Sequence, residues 1–410
     1  MPYICDLHIH SKYSRATSKD MDIENLSRWA KLKGVSMLGT GDFTHPEWLK
    51  ELKEKLAEKE YGIYSHGGID YILSTEVSNI YFKNGKVRKI HNIIIVPSFA
   101  IAAEINKMLS GYGVLESDGR PIVSLECERM MKSLRKISQD IMVIPAHIWT
   151  PHFSLFGSNS GFDSIKECFE DEAGFITALE TGLSSNPPMN WRLSSLDRYA
   201  LVSNSDAHSP SKIGREANVF KEKIGYRELK EILEKKDKGR FMYTVEFFPQ
   251  EGKYHWDGHR RCEARFSPGE SAKINYRCPA CGKKLTIGVM NRVEQLADRS
   301  EDFVSENSPG YKSLIPLVEI IAEAMAVGKD SIGAEREYNA LVQKLGSEFD
   351  ILLFISKEEL LEKCPPKIAK GIINVRERRV NILPGYDGVY GKIEIFDKDE
   401  RKEEKQLTFF

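Results

Sequence analysis

The sequence predicts an α/β protein, a distorted barrel of about seven strands followed by a zinc ribbon, a helical region and a small C-terminal β segment. Three observations support this fold class. Strand-like and helix-like segments alternate up to about residue 245, apolar runs repeatedly end in His, Asp or Glu, and Cys-x-x-Cys-Gly occupies residues 278–282. An open doubly wound sheet is the alternative for the first part.

The length and composition predict a multidomain soluble protein. A chain of 410 residues exceeds one ordinary core. The expected parts are a barrel over 1–248, a zinc ribbon over 249–292, a helical domain over 293–362, a β segment over 363–400 and a charged tail over 401–410. No apolar run approaches a membrane span and no secretion signal is recognised, so a cytoplasmic location is expected. With a net charge of -1, a nucleic-acid partner must be bound by local basic patches.

The first predicted strand carries two histidines on one face. Tyr3 to His10 has strand character, and a period of two places His8 and His10 on the same side. Two neutral imidazoles at a strand end are suited to a metal site, which needs further nitrogen, sulfur or carboxylate ligands. For this pair alone, a polar strand end without metal is the alternative.

The following segments fit β-α units. An amphipathic helix is predicted over 22–33, with Asp22 as its N-cap and Gly34 after its C-terminus. An apolar strand over 35–40 leads to Asp42, and a charged surface helix is predicted over 46–59.

Later apolar runs contain or precede further ligand-type residues. These residues are Glu76, His91, His147, Glu180, and Asp206 with His208. Because the carboxyl ends of parallel strands meet on one side of an α/β fold, the side chains are predicted to converge there on a metal site. Glu180 and Asn204 are expected to support the ligands rather than to bind metal.

The sequence pattern changes after about residue 250. Cys278-Pro279-Ala280-Cys281-Gly282 is a zinc-ribbon knuckle, and His259 with Cys262 is the expected second pair. A structural zinc ion contributes roughly 10–16 kcal/mol of folding free energy, which suits a module too small for its own core. A redox Cys-x-x-Cys is the alternative, but no thioredoxin-like unit surrounds it. The remaining cysteines, Cys5, Cys127, Cys168 and Cys364, are expected to be buried thiols.

Six motifs of the first domain resemble the polymerase-and-histidinol-phosphatase (PHP) family of metal-dependent phosphoesterases. In the family's order they are Asp6-Leu7-His8-Ile9-His10-Ser11, Thr40-Gly41-Asp42, Ser74-Thr75-Glu76, His91, Pro145-Ala146-His147 and Ser205-Asp206-Ala207-His208. The resemblance implies that the metal ligands are His8, His10, Asp42, Glu76, His91, His147, Asp206 and His208. It implies a catalytic role for all of these except Asp42.

Two positions depart from the family pattern. Arg15 stands where the family usually has an acidic residue, and Phe43 follows Asp42 where the family usually has histidine. Both of the usual residues serve a third metal, so the resemblance implies two divalent ions (Zn, Mg or Mn), with three ions as the alternative.

The resemblance also implies how the ligands are shared. One ion is expected at His8, His10, Glu76 and Asp206, and Glu76 is expected to bridge to a second ion at His91 and His147. His208 is expected either to bind metal or to protonate a leaving oxygen. Two such ions generate hydroxide near neutral pH and neutralise charge on a phosphoryl oxygen.

The whole architecture resembles the endonuclease Q family of archaeal DNA repair enzymes. Gly258 to Cys262, Cys278 to Gly282 and Asn291 to Arg299 carry this part of the resemblance. It implies that the chain cuts damaged double- or single-stranded DNA on the 5′ side of hypoxanthine, uracil and xanthine, and at abasic sites. A basic run, Arg376 to Arg379, is suited to the DNA backbone.

Two other functions are the alternatives. A small-molecule phosphatase of the histidinol-phosphate type would need only the barrel. A DNA-binding or clamp-associated scaffold without activity would lack barrel metal.

The loop after His147 is a candidate for contact with a damaged base. Trp149, Phe153 and Phe156 are expected to stack on a flipped base, and Asn159 to read a carbonyl edge. A lid that packs on the barrel without touching substrate is the alternative.

The end of the chain, Gln406 to Phe410, resembles the start of the peptide that docks onto the sliding clamp PCNA. PCNA is therefore an expected partner.

Overall fold

The computed structural model describes residues 2–397 of the chain and confirms the predicted α/β fold. Its strands are β1 (Tyr3–Asp6), β2 (Met37–Gly39), β3 (Ala57–Glu60), β4 (Ile63–His66), β5 (Ile69–Lys83), β6 (Lys86–Val96), β7 (Ile122–Val123), β8 (Met142–Pro145), β9 (Ala178–Glu180), β10 (Ala200–Val202), β11 (Ala217–Phe220), β12 (Phe241–Glu246), β13 (Asp257–His259), β14 (Ala264–Phe266), β15 (Gly310–Ser313), β16 (Asn381–Leu383) and β17 (Lys392–Glu394). Its α-helices are α1 (Ile23–Lys33), α2 (Pro46–Lys55), α3 (Phe99–Leu109), α4 (Cys127–Ile137), α5 (Ile165–Phe169), α6 (Pro187–Trp191), α7 (Tyr226–Lys235), α8 (Pro268–Lys273), α9 (Val289–Leu296), α10 (Leu317–Ala324), α11 (Ile332–Leu345), α12 (Lys357–Lys363) and α13 (Pro366–Arg376).

An irregular barrel positions the candidate site. Strand β2 pairs in parallel with β1 and β5, β6 pairs with β5 and β8, and β9 pairs in parallel with β10. The backbone amide of Thr177 donates to the carbonyl of Val143 at 3.2 Å, which joins β8 to β9. The amide of Leu7 donates to Oδ1 of Asn204 at 2.9 Å and closes the ring between β10 and β1.

Strand β6 runs antiparallel to its neighbours, so the expectation of parallel β-α units is wrong for this strand. Only Asn84 and Gly85 separate β5 from β6, and a two-residue connection permits a hairpin but not a crossover. The start of β6 therefore lies at the same edge as the ends of the parallel strands. This direction explains why His91, which lies at the middle of its strand and not at the strand's carboxyl end, still reaches the candidate site.

The predicted capping residues define both ends of helix α1. Oδ1 of Asp22 accepts a hydrogen bond from the amide of Asn25 at 2.8 Å, and Gly34 adopts φ +84° after the C-terminus. Helix α2 is shorter than predicted and ends at Lys55. Residues 57–60 instead form β3 against β4, because the chain becomes extended at the buried residue Leu56.

The appended parts contact the barrel through a buried carboxylate. Glu348 accepts hydrogen bonds from Nζ of Lys33 on α1 at 2.6 Å and from the hydroxyl of Tyr338 at 2.8 Å. Strand β15, inside the stretch predicted as helical, pairs in parallel with β12 of the main sheet. The stretch predicted as a C-terminal β segment begins with α13 and forms strands only from Asn381. The basic run at 376–379 thus lies at a helix end.

Four cysteines lie outside the zinc-ribbon motif. Cys5, Cys127, Cys168 and Cys364 are buried, as predicted.

Among residues 2–397, no helix is both long and apolar enough to span a membrane. The segment Gln406 to Phe410 lies outside the described residues.

Candidate metal centre and its surroundings

Seven of the eight side chains predicted as metal ligands meet at one end of the barrel. They form three overlapping groups whose ligand atoms all lie within 4.8 Å of one another in each group. The groups are His8, His10 and Glu76; Glu76, His91 and His147; and His10, Asp206 and His208. Glu76 and His10 each belong to two groups, so the cluster can hold more than one ion.

Glu76 lies at the centre of the cluster and is buried. Its Oε1 lies 2.7 Å from Nδ1 of His91 and 3.0 Å from Nε2 of His147. Its Oε2 lies 3.4 Å from Nε2 of His10 and 3.8 Å from Nε2 of His8. One carboxylate oxygen thus faces each histidine pair, which is the arrangement of a bridging ligand.

Supporting carboxylates orient the two histidines that follow β1. Nδ1 of His8 donates to Oε1 of Glu180 at 3.0 Å, and Nδ1 of His10 donates to Oδ1 of Asp42 at 3.0 Å. Both bonds leave Nε2 directed into the cluster. A carboxylate behind a histidine fixes its tautomer and is typical of metal sites. The supporting role expected for Glu180 is confirmed, and Asn204 donates to the same carboxylate at 2.9 Å.

Asp42 belongs to this supporting group and not to the ligand groups. Besides the bond from His10, its Oδ2 accepts from the amide and hydroxyl of Ser11, at 2.6 and 2.7 Å, and from the hydroxyl of Ser14 at 2.9 Å. These donors occupy both oxygens. The predicted role of Asp42 as a metal ligand is therefore corrected to that of a residue that positions His10.

The chemistry of the free donor atoms fits metal ions. Nε2 of His8, Nε2 of His10 and Oδ1 of Asp206 are buried without a well-directed hydrogen bond, and Nε2 of His10 lies only 3.0 Å from Oδ1 of Asp206. Unpartnered buried polar atoms cost free energy, and three of them directed at one point are compensated by a cation. Three residues at the site, Asp42, His147 and Asp206, also have positive φ values of 49°, 31° and 48°. Such backbone conformations concentrate at functional sites.

The cluster has a closed floor and an open mouth. The side chains of His8, His10, Glu76, His91 and His147 are at most 10% exposed, whereas those of Arg120, Asp206 and His208 are 26%, 28% and 31% exposed. A ligand that reaches the cluster from solvent therefore meets these three side chains first.

The histidines of the cluster differ in how their surroundings shift their pKa values. Burial lowers the pKa of His91 to about 4, so this imidazole is neutral. Burial also opposes protonation of His8, but the carboxylates of Glu180 and Glu76 raise its pKa well above the usual value. The pKa of His208 is lowered by burial and by the neighbouring His10. Neutral imidazoles are the form that binds metal.

A second cluster lies in the zinc-ribbon motif. His259, Cys262, Cys278 and Cys281 have ligand atoms within 4.8 Å of one another. Burial raises the pKa of Cys278, but the amides of Ala280 and Cys281 reverse the shift and the net pKa is lowered. Nδ1 of His259 lies 3.6 Å from Sγ of Cys281. Three sulfurs and one imidazole nitrogen are suited to a tetrahedral ion.

The loop after His147 differs from the prediction. Trp149 and Phe156 are only 1% exposed and pack on each other with ring centroids 4.9 Å apart, so neither offers a surface to a base. Nε1 of Trp149 donates to Oδ1 of Asn190 at 2.8 Å. The prediction that these two rings stack on a base is corrected. Their hydrophobic surfaces instead form the core beneath the loop.

Two other residues of this loop face the site or the solvent. Phe153 packs beside His91 with ring centroids 4.9 Å apart. Asn159 is exposed and lies 3.0 Å from Nε2 of His152. The alternative of a packed lid thus describes part of this loop.

Sequence reasoning missed Arg120. Its Nη1 lies 3.1 Å from Oε2 of Glu76. It follows no apolar run, so the signal that marked the ligands does not apply to it. The Asp118-Gly119 turn that precedes it was the available signal.

A cavity of about 750 Å³ lies between the barrel and the appended parts. The metal-type ligands do not line it, but one of its lining residues, Thr150, has its hydroxyl 3.1 Å from Nδ1 of His147. Its lining includes Thr150 and His152 from the loop after His147, and aromatic residues Phe247, Tyr254 and Tyr390. Basic side chains at the cavity are Lys212, Arg215, Lys253 and Lys329, and acidic ones are Glu251 and Glu319. The volume is in the range of small-molecule binding sites.

Known proteins are similar to a C-terminal part of this chain or to nearly all of it. The family described as MJ0043 C-terminal domain matches residues 316–379. The uncharacterized protein YqxK of Bacillus subtilis (strain 168) is 30% identical over 409 residues, which cover 95% of this chain and 98% of that protein.

Two solved structures are similar over nearly their full length. The novel lesion-specific endonuclease PfuEndoQ from Pyrococcus furiosus has a TM-score of 0.87 and 31% identity, and the match covers 100% of this chain and 99% of that one. Endonuclease Q in complex with a 27-mer duplex carrying an abasic lesion at the active site has a TM-score of 0.84 and 31% identity over 98% of both chains. At this identity and coverage, the chain belongs to the endonuclease Q family.

Proposed function

We propose that the chain is a metal-dependent DNA repair endonuclease that hydrolyses the phosphodiester on the 5′ side of hypoxanthine, uracil and xanthine, and at abasic sites. The observation that carries the proposal is the full-length similarity to a lesion-specific endonuclease, at 31% identity and a TM-score of 0.87. The cluster at the barrel end supplies the chemistry, because its ligand types are those of metal-dependent phosphoester hydrolysis.

In this proposal the barrel holds two divalent ions, of Zn, Mg or Mn. His8, His10, Glu76 and Asp206 would hold the first, and Glu76, His91 and His147 would hold the second. Such ions supply hydroxide near neutral pH and neutralise charge on the phosphoryl group. The family's third ion is not part of the proposal, since Asp42 is fully bonded to His10, Ser11 and Ser14.

His208 is the proposed proton donor to the leaving oxygen. Its Nδ1 donates to the backbone carbonyl of Asp206 at 2.8 Å, which leaves Nε2 free. The side chain is 31% exposed at the mouth of the cluster, so substrate can reach it. Metal binding by His208 is the alternative role.

The cavity between the barrel and the appended parts is the proposed place for the damaged nucleotide. Its lining begins at Thr150, three residues after His147, and its rings of Tyr254 and Tyr390 are exposed. Nζ of Lys253 lies 6.0 Å from the Tyr254 ring and 5.6 Å from the Tyr390 ring, which adds positive charge beside two stacking surfaces. Aromatic surfaces with cations bind single-stranded nucleotides.

Zinc is the proposed ion of the second cluster, held by His259, Cys262, Cys278 and Cys281. The ribbon is connected to the C-terminal β hairpin, because Asp387 accepts from the amide of Arg260 at 2.6 Å and from the hydroxyl of Thr286 at 2.6 Å. A zinc ion here would therefore also stabilise the walls of the cavity.

The decisive experiment compares duplexes that differ at one nucleotide. End-labelled 27-mers with one uracil, hypoxanthine, xanthine, abasic site or normal base are incubated with the metal-loaded protein. A single cut 5′ to each lesion and no cut at the normal base are expected. The His8→Ala variant is the matched control and should be inactive, because it removes a nitrogen ligand. Uniform cutting, or hydrolysis of phosphomonoesters only, would contradict the proposal.

Binding of PCNA by Gln406 to Phe410 stays a prediction from the sequence. Deletion of residues 405–410 should leave cleavage of naked DNA unchanged and weaken binding of PCNA in a titration. Equal affinities of both chains would exclude this contact.

A further inference from the structure

We propose that Arg120 binds the phosphoryl group that is cleaved and takes the place of the third metal ion of the wider PHP family. The inference rests on the proposed function and adds a catalytic residue to it. It is carried by the loop of residues 118–120, which reaches over the first metal-type group from outside the barrel strands.

The place for a third cation is filled by protein. Gly119 lies directly against the carboxylate of Asp42, so close that an added Cβ would lie 2.3 Å from Oδ2. Its amide donates to the carbonyl of Tyr13 at 3.0 Å, and its carbonyl accepts from the hydroxyl of Thr44 at 3.1 Å. The loop is thereby fixed to two segments of the site and leaves no room for an ion at Asp42.

The side chains that would complete a third ion point elsewhere. Arg15, at the acidic position of the family, is 74% exposed and lies 3.5 Å from Oδ2 of Asp118. His45, the first histidine after Asp42, stacks on Tyr13 with ring centroids 4.4 Å apart. Neither residue directs a ligand atom to the cluster, so these two side chains do not hold a third positive charge there.

The guanidinium of Arg120 supplies a positive charge at the mouth of the cluster. The same loop places its guanidinium 3.1 Å from Oε2 of Glu76, and its side chain remains 26% exposed at the mouth beside Asp206 and His208. One edge of the guanidinium thus contacts the central carboxylate, and the rest faces the approach of substrate. Arginine presents several donors in a planar fork that matches two phosphate oxygens.

The orientation of Arg120 is itself supported. Its backbone amide donates to Oδ1 of Asp118 at 3.2 Å, and the same oxygen accepts from the amide of Arg15 at 3.2 Å. A positioned cation that meets the developing charge of the phosphoryl group needs no reorganisation during the reaction. Removal of one such donor commonly costs about a hundredfold to a thousandfold in rate.

The test uses Arg120→Gln, Arg120→Lys and the control Arg28→Gln, which removes the same charge from an exposed position on α1 outside the site. Three quantities are measured for each metal-loaded protein: bound metal per chain, affinity for inorganic phosphate by calorimetry, and the single-turnover rate on a duplex with one abasic site. For Arg120→Gln we expect unchanged metal, roughly tenfold or greater loss of phosphate affinity and about a hundredfold loss of rate. The phosphate affinity and the rate of Arg120→Lys should lie between those of the wild type and Arg120→Gln, and Arg28→Gln should match the wild type.

Two outcomes would overturn the inference. Wild-type phosphate affinity in Arg120→Gln would show that the guanidinium does not touch phosphate. Loss of bound metal in that variant would show that Arg120 only holds Glu76 in place. Phosphate binding is measured without DNA, so a wild-type protein that cuts no lesion would contradict the proposed function and leave this result intact.

Discussion

Glu180 holds His8 through a hydrogen bond of 3.0 Å between Oε1 and Nδ1, and its other oxygen accepts the backbone amide of His147 at 2.8 Å. One buried carboxylate thus sets the orientation of one ligand from each of two metal-type groups. The two groups are coupled through a residue that belongs to neither.

Glu180→Gln should therefore weaken metal binding without removing a ligand. The amide offers one acceptor oxygen in place of two, so either His8 or the amide of His147 loses its partner. Loss of such supporting contacts typically lowers metal affinity about 10–100-fold. Competition with a chelator measures the affinity, and Glu170→Gln, at a carboxylate with 54% exposure, is the control. Equal affinities in all three proteins would contradict the role of Glu180.

Cys278→Ser should remove the ion of the zinc ribbon and leave the barrel ions in place. The loss of one of four ligands greatly weakens binding, and the module loses stability that the ion supplied. Total metal per chain, measured on purified protein, should fall by the zinc content alone. Cys364→Ser, which changes a buried thiol outside the cluster, should keep its zinc. Zinc content equal to the wild type in Cys278→Ser would defeat the assignment.

Glu246 makes stability depend on pH. Burial, with the charge of Glu180, raises its pKa from 4.5 to about 8. Between these values the folded chain holds a proton that the unfolded chain has released, so the free energy of unfolding falls as pH rises. The stability that this bound proton adds at low pH is lost by pH 8. Glu246→Gln should show a smaller fall of Tm from pH 4.5 to pH 8, with Glu170→Gln as control. Parallel Tm curves would contradict the shift.

Trp149→Ala should destabilise the protein and spare lesion selection. The ring is 1% exposed, and deletion of a buried aromatic side chain costs about 3–5 kcal/mol. Urea unfolding measures the loss. Cleavage of abasic, uracil and hypoxanthine duplexes at a temperature where the variant is folded should change by one common factor. A selective loss on base-containing lesions would place Trp149 in base contact after all.

In contrast to Trp149→Ala, Tyr254→Ala should weaken DNA binding selectively at lesions that retain a base. Its ring is 36% exposed at the cavity, and base–aromatic stacking is worth about 1–3 kcal/mol. Uracil and hypoxanthine duplexes should lose roughly tenfold to a hundredfold in affinity, whereas an abasic duplex has no base to stack and should lose less. Tyr61→Ala, at an exposed tyrosine outside the cavity lining, is the control. Equal losses on all duplexes would exclude stacking by Tyr254.

The residues that sequence reasoning placed correctly share one property. Glu76 and His147 lie in or directly after buried strands, and an apolar run ending in a ligand type is visible without a structure. The role of Asp42 was not visible, because ligand and supporting carboxylate differ only in which donors surround the oxygens.

Long-range packing explains the other differences. Arg120 reaches Glu76 across 44 positions from an irregular loop, for which no periodicity exists. The exposure of an aromatic residue in a loop is also undetermined by the sequence. Trp149 packs on Phe156 in the core, and Asn190, on α6, offers the acceptor that its buried indole N–H needs. The two-residue turn before β6 indicates a hairpin, so the antiparallel direction of this strand was predictable from the sequence, although a parallel strand was expected.

The hydrogen bond from Leu7 to Asn204 also bears on synthesis of the chain. The first strand with its two histidines leaves the ribosome early, but the residues that close the ring and complete the mouth, Asn204, Asp206 and His208, come about two hundred positions later. A shorter nascent chain has only part of the ligand set, and its first strand lacks the closing bond. The full ligand set therefore exists only in chains that have been synthesised at least as far as His208, about half of the polypeptide.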